Sequence, residues 1–131
     1  MTWRTEPLSS SRGAEEAFDA LRGEPDPFWR DDATGRGWSF LGADPADALR
    51  IGAGEGDAPG RFQAWLDARR GGAPPDGGAA RLPADAPPFL GGAGGFLSYD
   101  LRGAFERRPA RARDDLGHPW IRMGWYAAVL A

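Results

Sequence analysis

The sequence predicts an α+β fold: a mostly antiparallel sheet with about three helices packed on it. Three observations point there. Two stretches carry apolar residues at helical spacing, Ala14/Ala17/Phe18/Leu21 and Phe62/Trp65/Leu66, each followed by glycine. Two short β-type runs, Phe28 to Asp31 and Trp38 to Ala43, flank the turn-forming segment Asp32-Ala33-Thr34-Gly35-Arg36-Gly37. The last stretch, Trp120 to Ala131, is apolar on both faces of a strand, so both faces should be covered.

Taken in order, Met1 to Arg12 reads as an extended lead-in. A helix follows from about Ala14 to Arg22, with Ser11 or a neighbouring serine as its cap. Glu15 and Glu16 suit its positive end, and Gly23 stops it. Glu24-Pro25-Asp26-Pro27 is a break, and the hairpin comes next, closed by Asp44-Pro45. Leu49, Ile51 and Ala53 alternate with Arg50 and Gly52 as a third strand. A second helix spans about Gly60 to Arg70. Gly71 to Ala86, rich in Gly, Pro and Ala, reads as a flexible connection.

Pro87-Pro88 then leads into Phe89-Leu90-Gly91-Gly92-Ala93-Gly94-Gly95, where glycine permits a turn, a kink or a close approach to another element. Phe96 to Tyr99 reads as a short buried strand. Asp100 is placed to cap a helix that starts at Leu101, with Leu101, Ala104 and Phe105 on one face. The glycines lead into a strand rather than out of one. The chain has no Lys, so neither a dinucleotide fingerprint nor a P-loop fits.

Composition narrows the function classes. Sixteen basic residues stand against nineteen acidic ones, giving a net charge of -3, which argues against a nucleic-acid surface. With no Cys, disulfides, thiol catalysis and Cys-based metal sites are excluded. His118 is the one histidine and stands beside Pro119, a poor setting for a metal ligand. No apolar run is long enough for a membrane helix or a signal peptide, and a cytoplasmic protein is the expectation. Asp31 and Asp32 point to opposite faces if extended, so they do not form an acid/base pair. Ser39 has no nucleophile motif around it.

Two segments carry a family resemblance. Phe89-x-Gly-Gly-x-x-Gly-Phe-x-x-Tyr-Asp-Leu, followed by Phe105-Glu106-Arg107-Arg108-Pro109, resembles the N-terminal domain of chorismate-utilising enzymes. These are component I of aminodeoxychorismate synthase and of anthranilate synthase. Gly103 stands where the family has Arg, and Arg108 where it has Leu. Trp38-Ser39-Phe40-Leu41-Gly42-Ala43-Asp44-Pro45 matches the same family. The strand before it departs, with Arg30 in place of Leu and Asp32 in place of Ser.

The resemblance implies that residues 1–131 are a single, truncated domain, the N-terminal half of a larger sandwich, with no catalytic residues of its own. It implies a C-terminal chorismate-binding catalytic domain as partner, holding Mg²⁺, and a glutamine amidotransferase subunit or domain that supplies ammonia. The short lead-in and the degraded Trp29-Arg30-Asp31-Asp32 signature favour the aminodeoxychorismate branch over anthranilate synthase. A stand-alone amino-acid-binding module is the alternative of a different class. The resemblance further implies a tryptophan-type pocket at Asp31, Asp32, Trp38 and Ser39. Asp31 would accept from a ligand ammonium, Ser39 would orient the other end, and Trp38 would back the site. The competing reading is that Asp31, Asp32 and Ser39 satisfy the turn's own backbone.

Overall fold

The computed structural model describes residues 4–8, 13–32, 34–70, 85–106 and 114–131. In chain order these form helix α1 (Ala14–Leu21), strands β1 (Phe28–Arg30), β2 (Phe40–Gly42) and β3 (Asp47–Ile51), and helix α2 (Ala58–Arg70). Strand β4 (Gly92–Leu97), a 3-10 helix (Tyr99–Ala104) and strand β5 (Ile121–Tyr126) complete the set. This is an α+β architecture. β1 and β2 form a two-stranded antiparallel sheet, and β3, β5 and β4 form a three-stranded antiparallel sheet in that order. Ser11, residues 71–84 and the basic run 107–113, on which three expectations fell, lie outside the described residues.

β5 holds the fold together. Its odd-numbered residues face α2: Ile121 and Met123 join a core with Ile51, Ala58, Leu49 and Phe62, while Trp125 meets Trp65 edge-on at 6.2 Å. Its even-numbered residues face the β1–β2 layer, where the Tyr126 ring packs on Phe28 at 4.5 Å. Both faces are thus covered, as the apolar pattern requires. The backbone of β5 is satisfied as well, because it is the middle strand of its sheet and pairs on both sides. The strand also ends at Tyr126 and not at Ala131. Beyond it the chain doubles back, and Leu130 and Leu41 exchange two backbone hydrogen bonds of 2.8 and 2.9 Å, which tie the two sheets together.

α2 begins two residues earlier than its apolar pattern indicates, because Asp57 starts it. The Asp57 carboxylate accepts from Gly60 N at 3.1 Å, satisfying an otherwise orphan donor, and Pro59 occupies the first turn, where a missing N–H is harmless. Trp65 is buried, and its Nε1–H donates to Asp47 on β3 at 2.9 Å. The Arg69 guanidinium lies 4.4 Å above the Trp65 ring and pairs with the same carboxylate, locking helix to sheet. α1 follows its predicted span, but Gly13 and not a serine stands at its N-cap position, with no side-chain cap hydrogen bond; Phe18 packs on Trp29 at 5.6 Å.

Two expectations around the glycines need correction. The strand starts at Gly92, within the glycine run, and stops at Leu97. Phe96 and Leu97 lie exposed at its end, so the Phe96 to Tyr99 stretch is not a buried strand. The glycines serve close approach: a Cβ at Gly95 would fall 2.2 Å from the backbone oxygen of Arg122 on β5. The helix placed at Leu101 is a short 3-10 stretch from Tyr99. Ser98 stands at the N-cap position without a side-chain hydrogen bond, so Asp100 lies in the first turn and does not cap it. Leu101 packs against the core, while Phe105 remains exposed.

Candidate functional site

Between the β1–β2 layer and the β4–β5 half of the larger sheet lies a groove of about 870 Å³. Its walls are rings. Phe89 meets Phe28 edge-on at 6.4 Å and Phe40 edge-on at 5.7 Å, and Tyr126 abuts Phe28. Its floor is the directly opposed pair Gly94 and Gly124. The Tyr126 ring lies over both, and a Cβ would approach it to 3.2 Å from Gly94 and 2.8 Å from Gly124. Two facing glycines therefore let an aromatic ring lie down on the sheet.

Among the described residues the charged and titratable side chains that line it, besides Tyr126, are Asp26, Arg30, His118 and Arg122. Asp26, flanked by Pro25 and Pro27, adopts a left-handed backbone with φ of 44°. Tertiary contacts hold it there: Arg122 Nε donates to Oδ1 at 2.7 Å, Arg122 Nη2 donates to the same oxygen, and the Tyr126 hydroxyl donates to the Asp26 carbonyl at 2.7 Å. Burial pushes the Tyr126 phenol above its ordinary 10.0, the Asp26 carboxylate adds to the rise, and Arg122 opposes it. His118 sets its ring edge-on to Phe96 at 6.2 Å. Arg30 has no hydrogen-bond or ion-pair partner among the described residues. An apolar slot with a few charged groups at its mouth suits a small ring-bearing ligand with a charged end. Among the described residues no three His, Cys, Asp or Glu side chains gather to hold a metal ion, so none is assigned one. No helix among them is long and apolar enough to cross a membrane.

The four residues expected to form a pocket sit together just beyond the paired part of the hairpin, and none of them lines the groove. Ser39 Oγ donates to the Asp31 carboxylate. Asp32 organises the turn: its carboxylate accepts from Thr34 Oγ1 at 2.6 Å, Gly37 N at 2.5 Å, Arg36 N at 3.1 Å and Thr34 N at 3.3 Å. Trp38 lies outside the strand with 44% of its surface exposed. The structure therefore brings Asp31 and Ser39 together and gives Asp32 to the turn backbone. The groove's own charged groups escaped the sequence reading because Asp26 and Arg122 are 96 positions apart. The only local signal was the Pro-Asp-Pro break.

The Asp32 hydrogen bonds have a pH consequence. The Thr34 side chain, aided by the backbone N–H groups, holds the Asp32 carboxyl below its ordinary 3.8. A carboxylate whose pKa is depressed by folding stabilises the fold above its unfolded pKa, and that contribution disappears as pH falls through the folded pKa. Glu55, held below its ordinary 4.5 chiefly by Arg61, acts in the same sense. Asp32→Asn is expected to shrink the loss of stability on acidification below about pH 4. Urea midpoints at pH 7 and pH 3 measure it; an unchanged difference between the two would show that the turn carboxylate is not linked to folding.

Comparison of the chain with family models, with curated proteins and with solved structures finds no match to any of them.

Proposed function

We propose that the chain is the non-catalytic N-terminal domain of a chorismate-utilising enzyme of the aminodeoxychorismate synthase component I type, and that the aromatic groove is its small-ligand site. One observation carries this reading. The two segments that bear the resemblance, far apart in sequence, line one groove. Phe40 comes from the Trp38 to Pro45 segment, and Phe89, Gly94 and Phe96 from the glycine-rich segment; Phe40 and Phe89 meet edge-on. A shared groove gives both motifs a single physical purpose.

Under this reading the chemistry belongs to a partner. A chorismate-binding domain supplies the catalytic groups and the Mg²⁺ site, a glutamine amidotransferase supplies ammonia, and the assembly works in the cytoplasm. The residues of this chain bind and position; the groove offers no pairing of nucleophile and base. The Asp26 carboxylate, the one acid among the described residues that lines it, is taken up by Arg122.

Reconstitution tests the proposal. A catalytic domain of aminodeoxychorismate synthase lacking its own N-terminal domain is assayed with chorismate, ammonia and Mg²⁺. Adding this chain is expected to raise product formation by about tenfold or more, equivalent to about 1.4 kcal/mol of barrier, while the chain alone yields none. No rise on mixing, or product from the chain alone, would overturn the reading.

A further inference from the structure

From the charges that line the groove we infer that its ligand is an aromatic monocarboxylate without an ammonium group, and that Arg30 is the residue that selects it. The inference rests on the reading of the groove as a ligand site and names the class of ligand.

Among the described residues, three side chains carrying full charges line the groove: Asp26, Arg30 and Arg122. Two guanidinium groups against one carboxylate leave one positive charge. The structure also fixes which group is left over. Arg122 reaches Asp26 with both Nε and Nη2, and the Asp26 backbone is pinned in turn by the Tyr126 hydroxyl. A ligand ammonium at Asp26 would have to share a carboxylate that already accepts two charge-assisted guanidinium hydrogen bonds on Oδ1. Arg30 has no such tie among the described residues.

Position agrees with charge. Phe28 and Arg30 alternate along β1 and share the face that looks toward β4 and β5, while Trp29 turns the other way onto Phe18. A ring seated among Phe28, Phe40, Phe89 and Tyr126 lies in the same groove that Arg30 lines, and Arg30 follows Phe28 by two positions on β1. A guanidinium there presents a planar fork of N–H donors that fits a carboxylate with two parallel hydrogen bonds. The neighbouring acids, Asp31 and Asp32, bond to Ser39 and to the turn and do not line the groove. Asp26, which lines the same groove, disfavours a second carboxylate.

Three ligands that share an indole ring separate the possibilities: indole-3-propionate, L-tryptophan and tryptamine, each titrated calorimetrically into the full chain. Indole-3-propionate is expected to bind about tenfold or more tightly than L-tryptophan, and tryptamine to give no binding heat. Arg30→Leu is expected to weaken indole-3-propionate by about tenfold or more, with Arg30→Lys falling between, and shifted ring resonances of Phe28 and Tyr126 locate the ligand in the groove. Equal affinity for the acid and the amino acid, preference for the amine, or an unchanged affinity in folded Arg30→Leu would overturn the inference and leave the groove as a ligand site. Absence of binding by all three would overturn both. Should the leucine variant not fold, the wild-type series of three ligands decides by itself.

Discussion

Gly95→Ala is expected to lower stability by about 3 kcal/mol, a large fraction of what a domain of this size possesses. Two effects add. The residue has φ of 151°, a backbone conformation that side chains with a Cβ avoid. The new methyl would also meet the Arg122 carbonyl oxygen at 2.2 Å and the Met123 Cα at 2.8 Å. Both obstacles are backbone atoms of the central strand, so no rotamer change relieves them, and the β4–β5 pairing has to open locally. Gly56→Ala is the internal control, because nothing lies within 4 Å of its position. It should stay within about 0.5 kcal/mol of the parent chain. Urea unfolding of the two variants, compared at equal slope, measures the contrast. Similar midpoints for both would mean that β4 and β5 are not packed as described.

Ile121→Ala should cost about 3 to 4 kcal/mol, and Ile121→Val about 1 kcal/mol. Ile121 and Ile51 face each other directly across the β3–β5 ladder, and both are fully shielded from solvent. Ala58 closes the cluster from α2, with Phe62, Leu101, Trp120 and Met123 around it. Truncation removes contacts to both a helix and a strand, and the cluster is too tightly bounded to collapse on the space. Thermal and urea melts of the two variants give the graded series. A loss below about 1 kcal/mol for the alanine variant would place the centre of the core elsewhere.

Much of this arrangement was legible in the residues. α1 announces itself by Ala14, Ala17, Phe18 and Leu21, and the hairpin by two β-type runs around a Gly-rich turn. The two-faced apolar pattern of the last strand correctly required covering layers. The glycine-rich stretch was harder. Glycine has no side chain to produce an alternating pattern, so Gly92 to Gly95 leaves turn, kink and close approach open until the strand it presses against is known. That strand lies some thirty positions further on. The start of α2 hid for a related reason: Asp57 fixes it by a hydrogen bond to Gly60, whereas apolar periodicity begins only at Phe62. At the candidate site, local spacing pointed to Asp31, Asp32 and Ser39, and local geometry is what these residues serve. The groove itself depends on Asp26 meeting Arg122 and on Phe28 meeting Phe89 and Tyr126, contacts that no window of sequence contains.

The place of β5 in the chain has a consequence for how the protein is made. The strand that all three layers depend on is synthesised after every element it pairs with. While β1 and β2 pair within a short hairpin, β3 must wait for a partner more than sixty residues downstream, and β4 for one more than twenty residues downstream. During translation, Leu49, Ile51 and Trp65 leave the ribosome before the strand that packs against them. Such high contact order slows folding and prolongs the exposure of apolar surface, which makes the nascent chain a natural client for chaperones that shield emerging polypeptide.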